Sequence, residues 1–431
     1  MDREPADSSP IATPTAAPPW SAAAILVTIV ASSTALSQFF RASTSVIGPE
    51  LIRDLTLSSE ALAMANASFF MALLVAQVPV GMAFDRFGAR VTVAALSVPM
   101  AAGALLHAVI ESGAGLAAAR FLVGLGCAGS FAAAVVLITR WFAQPSWSMM
   151  LSWHFALSQI GLVLAGTPLA VAVGSVGWRL TFVAMAFVAL LIGYLVLVLV
   201  RDAPPGAPPM TRAARDIGAF QGLRQVLSMP DLPQVFCLLM VTFAAIVTVQ
   251  VLWAGPYLHD VHDLDAVQRG NVLMGMALVQ TFGVLIVGPL DRLFNTRKWV
   301  VVASAVLALA ALTGLAFGPT SLAATVFFLF LLSGSAAYGG ILYAHVRSLF
   351  PEHLAGRSST VSNMAPLIGA SLIPALTGFI PPFFPGEGPG YSPHAYQCIF
   401  AVPALCLAVG LAVYLTVRDS KPHLEARPAA G

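Results

Sequence analysis

The sequence predicts an all-α membrane protein with twelve transmembrane helices arranged as two pseudo-symmetric six-helix bundles. Only 9% of the 431 residues are charged whereas 58% are hydrophobic, a balance that no soluble domain needs. A helix that crosses the hydrocarbon core takes about 20 residues, so roughly twelve spans with short loops use up the chain. The long polar interruption at 201–232 divides six apolar segments from six.

Hydropathy and turn residues define each predicted element in order. The chain begins with a stretch rich in Pro, Ala, Ser and Thr, which predicts a disordered cytoplasmic tail over 1–20. An N-terminal bundle then covers 21–200, a cytoplasmic linker 201–232, a C-terminal bundle 233–417 and a second cytoplasmic tail 418–431. The predicted spans are 21–47, 61–83, 91–110, 115–138, 149–173, 179–200, 233–256, 270–290, 299–318, 322–345, 360–380 and 396–417.

The basic residues are distributed unevenly between the two sets of loops. If the N-terminus is cytoplasmic, only Arg53, Arg179 and Arg269 of the 21 Lys and Arg residues fall in outer loops. Short cytoplasmic loops carry the excess of positive charge, so both termini are predicted in the cytoplasm, with the chain in a plasma membrane such as the bacterial inner membrane. The sequence has no basic patch or nucleic-acid motif, and we expect no nucleic acid partner.

The residue types do not predict an enzyme, a cofactor or a metal centre. No Ser/His/Asp set and no paired carboxylates can be placed at one depth of the membrane. The four cysteines lie mostly in apolar runs without metal-ligand spacing, which predicts reduced thiols. The outer cluster from His259 to Asp265 could bind a metal, but a solvated loop with a helix-starting Asp explains it more simply.

A charged turn bounded by glycines lies between the second and third spans. Its residues are Gly81-Met-Ala-Phe-Asp85-Arg86-Phe-Gly88-Ala-Arg90. This spacing resembles the loop signature of the major facilitator superfamily of secondary transporters. A weaker copy follows the eighth span as Gly288-Pro-Leu-Asp291-Arg292-Leu-Phe-Asn295. Asp85 and Asp291 are 206 positions apart, and this repetition predicts two homologous halves.

The resemblance implies that these loops form a latch that stabilises the state closed to the cytoplasm. Asp85 would face a neighbouring helix N-terminus, while Arg86 and Arg90 would bind carboxylates or lipid phosphates. In the mechanism that the superfamily implies, the two bundles rock about a central site and expose it alternately to each side. The implied latch residues are Gly81, Asp85, Arg86, Gly88, Arg90, Asp291 and Arg292.

Two further segments resemble the same superfamily. Arg120 is followed by Gly124, Gly126 and Gly129 in the fourth span, and Gly177-Trp178-Arg179 precedes the sixth span. Two subgroup signatures are weak or missing. The Gly-Pro motif of drug/proton antiporters is only approximated by 166–168, and the Pro-Glu-Ser motif of sugar porters is absent.

Arginines within spans are the first candidates for binding a solute, because a charge at the bilayer centre costs about 3 kcal/mol or more. Thr34, Gln38, Arg41 and Ser45 follow helical spacing and form one polar stripe in the first span. Arg41 and Arg120 keep their charge and suit a carboxylate or phosphate, which predicts an organic-anion substrate. Alternatively, Arg41 snorkels to the outer interface and Arg120 is a structural group between helices.

The second half offers neutral hydrogen-bonding and aromatic side chains for the other wall of the site. Such a cavity would bind a small molecule with one anionic end and a less polar body. Trp253 and Tyr338 could alternatively be packing aromatics. The candidates in this half are Gln250, Trp253, Gln280, Tyr338 and Asn363.

Arginines in the first and fourth spans are also similar to those of the organic-anion and sugar-acid carriers of the superfamily, which place acidic residues near them to carry protons. Here Phe40 precedes Arg41, Cys127 follows Arg120, and no Asp or Glu lies deep in a predicted span. His154 is the candidate proton site, with a packing histidine as the alternative. The coupling ion, if any, would be a proton or a counter-anion, and uniport or anion exchange gains weight.

The sequence therefore predicts a monomeric transporter of a small organic anion, surrounded by membrane lipids. An alternative is a proton-coupled pump for drugs or metabolites, although an intramembrane acid is missing. A remote alternative is a nontransporting receptor on the same scaffold, for which a large soluble domain is expected.

Overall fold

The computed structural model describes residues 20–142, 146–204, 231–319, 321–335, 338–349, 355–384 and 390–421. Within these ranges the chain is helical and contains no strand. Ten of the described helices are long and apolar enough to cross a membrane. The terminal tails and most of the predicted linker, at 1–19, 205–230 and 422–431, lie outside the described residues.

The helices follow one another with short connections, and some predicted spans are interrupted by breaks of one or two residues. The interval between Ile246 and Ala254 is π-helical, and Pro381–Phe383 is a single 3-10 turn. The α-helices are α1 Trp20–Leu55, α2 Ser59–Leu106, α3 Gly113–Cys127, α4 Ser130–Trp141, α5 Trp147–Ser158, α6 Ile160–Leu164, α7 Thr167–Leu199, α8 Leu232–Ile246, α9 Ala254–Asp260, α10 Ala266–Val287, α11 Leu290–Leu293, α12 Lys298–Phe317, α13 Leu322–Ser335, α14 Gly339–Leu349, α15 Ala355–Thr377 and α16 Pro393–Tyr414.

Helix α2 folds back on itself at Gly88. This glycine has φ 81° and ψ 167°, a backbone conformation that residues other than glycine rarely adopt. The side chains of Val80 and Leu96 approach the place of a Cβ on Gly129 to 3.2 and 2.6 Å, although 16 residues of straight helix would span about 24 Å. The two arms of α2 therefore lie side by side. Gly177 in α7 has similar angles, φ 80° and ψ 158°.

The fold-back defines two ends of the molecule. The end with Gly88 and Asp202 is called the linker end, because the chain between 202 and 231 starts and finishes there. The end with the turns at 56–58, 108–112 and 261–265 is called the distal end. Residues 20–204 are called the N-terminal half and residues 231–421 the C-terminal half.

Backbone features recur in the two halves at a nearly constant distance along the chain. Thr56 and Asp263 both have positive φ and are 207 positions apart. Gly88 and Asn295 also both have positive φ, and they have the same separation. Gly and Asn tolerate a positive φ better than other residues, so the altered second copy of the turn keeps a positive φ at this position. The helix caps Ser58 and Asp265 have the same separation.

A second recurring feature lies at the linker end, where it joins the third predicted span of each half to the end of the last predicted span of that half. Asp202 accepts the backbone amide of Arg90 at 2.8 Å, and the Arg90 guanidinium donates to the Leu197 carbonyl. In the C-terminal half, Asp419 accepts the amide of Lys298 at 3.0 Å, and the Lys298 ammonium donates to the Leu415 carbonyl. Both carboxylates belong to the tripeptide Val-Arg-Asp, at 200–202 and 417–419.

The distal end has a comparable pair. Asp54, at the end of α1, accepts the indole N–H of Trp178 at 2.9 Å. Asp260, at the end of α9, accepts the hydroxyl of Tyr396 at 2.7 Å. These carboxylates are 206 positions apart. In each half, a carboxylate that follows the first predicted span accepts a hydrogen bond from an aromatic side chain at the start of the last predicted span.

Large apolar side chains cover the outside of the helices, including Phe187, Leu285 and Leu405. Water would not stabilise so extensive an apolar surface, whereas lipid tails would. The buried core is continuous between the halves and includes Phe40 and Phe69 from one half and Trp253 and Tyr396 from the other.

Candidate functional site

The two halves touch closely in the distal part of the molecule. The amide of Gly255 donates to the Ser45 hydroxyl at 3.0 Å, and a Cβ on Gly255 would collide with the Ser45 carbonyl oxygen. Pro256 approaches the place of a Cβ on Gly48 to 3.3 Å. Helix α1 and the seventh predicted span therefore meet backbone to backbone, without room for a solute between them.

Polar contacts extend this distal closure to the neighbouring helices. Thr167 donates to the side-chain oxygen of Asn271 at 2.6 Å. The Arg269 guanidinium donates to Glu50 Oε1 at 2.6 Å, and the two side chains are 2% and 17% exposed. Both contacts join one half to the other, so the distal end can open only when they break.

A chain of amides crosses between the halves at mid-depth. Gln38 donates to Gln159 Oε1 at 3.2 Å, and Gln159 donates to the Thr281 hydroxyl at 3.4 Å. Gln38 Oε1 is buried and has no partner among the described residues. A buried amide oxygen without a donor is a place where a ligand hydroxyl would fit.

Arg41 lies on the same stripe of α1, one helical turn from Gln38, where it meets two aromatic rings. Its guanidinium carbon is 6.0 Å from the ring centroid of Phe70 and 5.7 Å from that of Phe243, which belong to opposite halves. No carboxylate among the described residues pairs with Arg41, and its Nε is buried without a partner. A guanidinium whose Nε is buried without an acceptor is a group that an anionic ligand could satisfy.

Tyr343 and Asn363 form the nearby wall of the C-terminal half. The Tyr343 hydroxyl donates to Asn363 Oδ1 at 3.3 Å, and both residues are exposed. Tyr343 lies close enough to Arg41 for an electrostatic interaction. Asn363 was a candidate from sequence, whereas Tyr343 was overlooked in favour of Tyr338, five positions earlier on the same predicted span. Phe70 and Phe243 gave no sequence signal, because nothing distinguishes them from core aromatics.

Arg120 occupies a different environment from Arg41. It is 2% exposed, donates to the Phe40 carbonyl at 2.5 Å and lies 4.6 Å from the Phe69 ring centroid. A longer bond of 3.5 Å reaches Asn66. The structure thus places Arg120 among helices of the N-terminal half, where it holds the backbone of α1 next to Arg41.

Thr34 and His154 are paired in the linker-side part of the N-terminal half. The imidazole Nε2 lies 3.2 Å from the Thr34 hydroxyl, and both side chains are buried. The other ring nitrogen, Nδ1, is buried without a described partner. Phe131 packs on this imidazole at a centroid distance of 6.0 Å.

The remaining candidates of the C-terminal half lie at different depths. Trp253 and Tyr338 are fully buried and bond within that half, Trp253 to Thr377 at 2.8 Å and Tyr338 to Thr242 at 2.7 Å. Gln250 lies in the π-helical segment and lines a small cavity between the halves, with its Oε1 unpartnered. Gln280 is half-buried on α10, next to Thr281.

The latch candidates lie at the linker end, and the structure gives them unequal surroundings. Asp85 and Arg86 are exposed, and the backbone amide of Arg90, just after this turn, donates to Asp202. Asp291 is buried and lies 3.6 Å from the Arg297 guanidinium. The further placements are Gly81 and Arg292 on the surface, Gly88 in the buried turn and Arg90 half-buried.

The outer His/Asp cluster does not converge on one point. His259 pairs with Asp260 at 2.8 Å, whereas His262 lies 3.0 Å from the Thr325 hydroxyl. Asp265 caps α10 together with Gln268. Among the described residues, no group of three or more metal-ligating side chains comes together.

Sequence comparison identifies the family. The model of the Major Facilitator Superfamily matches residues 30–374. The chain belongs to the Major Facilitator Superfamily. It is accordingly an integral multi-pass membrane transporter and not an enzyme, as the sequence predicted.

Two full-length relatives and one solved structure illustrate this membership. A protein of Agrobacterium vitis named "Putative tartrate transporter" is 25% identical over 401 residues, which cover 88% of this chain and 86% of the relative. The "Hexuronate transporter" of Escherichia coli (strain K12) is 22% identical over 424 residues, 93% and 95% of the two chains. A bacterial homolog of the human lysosomal transporter Spinster, in an inward-facing and occupied conformation, has a TM-score of 0.75 at 17% identity, and the match covers 93% of this chain and 97% of that one.

Proposed function

We propose that this transporter carries a small hydroxylated organic acid, whose carboxylate binds Arg41. The observation that carries the proposal is the Arg41 guanidinium, which lies where aromatic rings of both halves meet and has no carboxylate partner among the described residues. An arginine stays protonated at any physiological pH, and its fork of N–H donors matches a carboxylate. An anionic solute supplies the missing counter-charge.

The hydroxyl groups of the solute follow from the surroundings of Arg41. Gln38 Oε1 lies on the same helix face, three residues away, and lacks a donor. Residues at this spacing have Cβ atoms about 5–6 Å apart, which suits a carboxylate and a hydroxyl on one small molecule. Gln159, Tyr343 and Asn363 add further polar groups. The names of the two full-length relatives refer to tartrate and hexuronate, which both combine these groups.

The proposed architecture has twelve spans in two six-helix bundles. Gly88 divides α2, of 48 residues, into a pair of spans, and Gly177 marks a break in the apolar helical stretch of 51 residues at 149–199, which is long enough for a second pair. The recurring turns, caps and Asp contacts support homologous halves. Exposed Arg86, Arg292 and Arg418 lie at the linker end, so the positive-inside rule favours that end as cytoplasmic. In this orientation the structure corresponds to the state closed to the outside.

Within this proposal the protein acts as a monomer in the bacterial inner membrane.

Phe40 is fully buried in the core, and Cys127 is buried near Arg41 and Arg120, at the two places where an acid was expected. Neither position therefore provides a carboxylate that could carry a proton. Uniport, exchange against another anion, or coupling through a different group are the routes that fit.

Thermal unfolding of the purified protein tests the proposed substrate class. We expect tartrate and D-glucuronate to raise the Tm and glucose, a neutral polyol of similar size, to leave it unchanged. A ligand at 100 times its Kd stabilises the folded state by about 2.7 kcal/mol. Arg41→Gln should abolish the shift.

A matched control is Arg53→Gln, which removes a guanidinium from the same helix at a side chain that is 75% exposed. It should keep the ligand-induced shift of the wild type. Equal stabilisation of the wild type and Arg41→Gln by both acids would overturn the role of Arg41. Stabilisation by glucose or by cationic drugs alone would overturn the substrate class.

A further inference from the structure

We propose that Phe243 positions the Arg41 guanidinium for the solute and, together with Phe70, takes the place of an acidic counter-charge. The guanidinium carbon of Arg41 lies 5.7 Å from the ring centroid of Phe243 and 6.0 Å from that of Phe70. The centroids of the two rings are 6.2 Å apart, and the rings meet edge to face at 81°. This role of Phe243 rests on the proposed function, since it prepares Arg41 to bind a carboxylate.

The surroundings of Arg41 contain no negative charge among the described residues. The titratable groups that interact with it electrostatically are the thiol of Cys127 and the phenol of Tyr343, and both groups are neutral at neutral pH. The Nε atom of Arg41 is buried without a described acceptor. The attraction that holds the guanidinium therefore comes from the two aromatic rings, whose negative faces attract a cation.

An aromatic ring and a carboxylate hold an arginine in different ways. A paired carboxylate would neutralise the guanidinium and occupy its N–H donors, so a solute would have to displace it. A ring attracts the charge but offers no carboxylate oxygen to those donors, so the charge and the donors stay available. Phe243 and Phe70 thus hold Arg41 in a form that the carboxylate of a solute can bind directly.

The two rings differ in their location. Phe70 belongs to α2, in the same half as Arg41, and is fully buried. Phe243 belongs to α8, in the other half, and is half-buried, as Arg41 is. Phe243 is therefore the ring that links the position of Arg41 to the C-terminal half.

The backbone on either side of Phe243 is held by neighbouring helices. The hydroxyls of Thr242 and Tyr338 bond at 2.7 Å, which ties α8 to the tenth predicted span. A Cβ on Gly369 would collide with the carbonyl oxygen of Met240, so α8 and α15 pack closely about one turn from Phe243. The C-terminal half thus fixes the ring, and the ring sets where the guanidinium lies.

A guanidinium that is ordered before the solute arrives binds it more tightly than a mobile one. An arginine side chain has many rotamers, and ordering them upon binding costs affinity. The attraction to Phe243 orders Arg41 in advance. Weakening this attraction at constant ring shape should therefore weaken binding, whereas a ring that only fills space would not respond.

Fluorinated phenylalanines at position 243 test this role at nearly constant ring size. Each added fluorine withdraws electron density from the ring face, so the attraction for a cation falls from phenylalanine through its mono-, di- and trifluorinated forms. Isothermal titration calorimetry on the purified full-length protein measures the Kd of tartrate and of D-glucuronate. We expect the Kd to rise at each step and to reach about threefold to thirtyfold of the wild-type value in the trifluorinated protein.

Phe400 provides the matched control in the same half. Its ring packs on the rings of Tyr257 and Tyr396, and trifluorination there should leave the Kd of both acids unchanged. Phe243→Leu keeps an apolar side chain but removes the ring, and it should raise the Kd at least as much as trifluorination does. The Tm without ligand shows whether each variant is folded, and the fluorinated series decides the question even if Phe243→Leu is not.

A Kd that stays constant or falls along the fluorinated series would overturn the role of Phe243, and so would an equal response at Phe400. If binding still depends on Arg41 in that case, the proposed function stands and only the positioning role is lost. If the wild type binds neither acid, or if Arg41→Gln binds both with unchanged Kd, the proposed function fails and the role of Phe243 fails with it.

Discussion

Asp202 accepts the backbone amide of Arg90 at 2.8 Å, so a carboxylate at the end of the N-terminal half caps the third predicted span of that half. The charge of the acid lies at the positive end of a helix, where it is favourable. Asp419 does the same for Lys298 in the C-terminal half. Each half is thus closed by its own last residues before the chain continues.

The first prediction concerns this cap. Asp202→Ala should destabilise the protein by about 1–2 kcal/mol, because it removes the acceptor at the start of a helix. Asp85→Ala is the matched change in the neighbouring turn, and we expect little loss of stability because Asp85 is exposed. Thermal unfolding without ligand compares the two variants. A larger loss for Asp85→Ala would contradict the assignment of the cap to Asp202.

The family resemblance predicted the position of the turn at Gly88 but not which acid serves it. The motif places Asp85 in this loop. Only the structure shows that Asp202, more than 100 positions later, accepts the Arg90 amide at the start of the next predicted span. The sequence signal for Asp202 existed in the repeated Val-Arg-Asp tripeptide, but it is too short to stand out without the contacts. Helices and their apolar faces were predictable because periodicity and length determine them locally.

The second prediction separates the roles of Arg41 and Arg120, the two arginines within predicted spans. Arg120→Gln should lower stability by about 1–3 kcal/mol, because it removes the donor to the Phe40 carbonyl and the cation over Phe69. The shift of Tm caused by tartrate should survive in this variant. Arg41→Gln should show the opposite pattern, with the ligand shift lost and a smaller loss of stability. Loss of the tartrate shift in well-folded Arg120→Gln would place Arg120 in the binding site.

The central site was predictable only in part. The stripe of Thr34, Gln38 and Arg41 follows from helical spacing, and the structure places Arg41 and Gln38 at the meeting of the halves. The partners of these residues could not be predicted, because contacts between distant helices depend on how the bundles pack. The same limit explains why the contact of Arg269 with Glu50, 219 positions away, could not be predicted.

The third prediction concerns His154. Its imidazole bonds the Thr34 hydroxyl within the N-terminal half. His154→Gln should therefore lower stability by about 1 kcal/mol for the lost hydrogen bond and keep the shift of Tm caused by tartrate. Loss of that shift in well-folded His154→Gln would place the histidine in the binding site.

The fourth prediction uses two glycines to separate gate closure from helix propensity. A Cβ on Gly255 would collide with the Ser45 carbonyl oxygen across the halves, whereas a Cβ on Gly174 meets no atom within 4 Å. Alanine stabilises an exposed helix position by up to about 1 kcal/mol relative to glycine, so Gly174→Ala should raise the Tm slightly. Gly255→Ala should instead disfavour the closed distal end.

Spin labels distinguish these effects when they are attached to cysteines that replace Val109 and Phe317, which are 71% and 74% exposed in opposite halves. We expect Gly255→Ala to show a longer distance between the labels than the wild type, since the added Cβ holds the two backbones apart at the distal end. Gly174→Ala should keep the short distance. A short distance in Gly255→Ala would contradict the role of this close contact in closing the distal end.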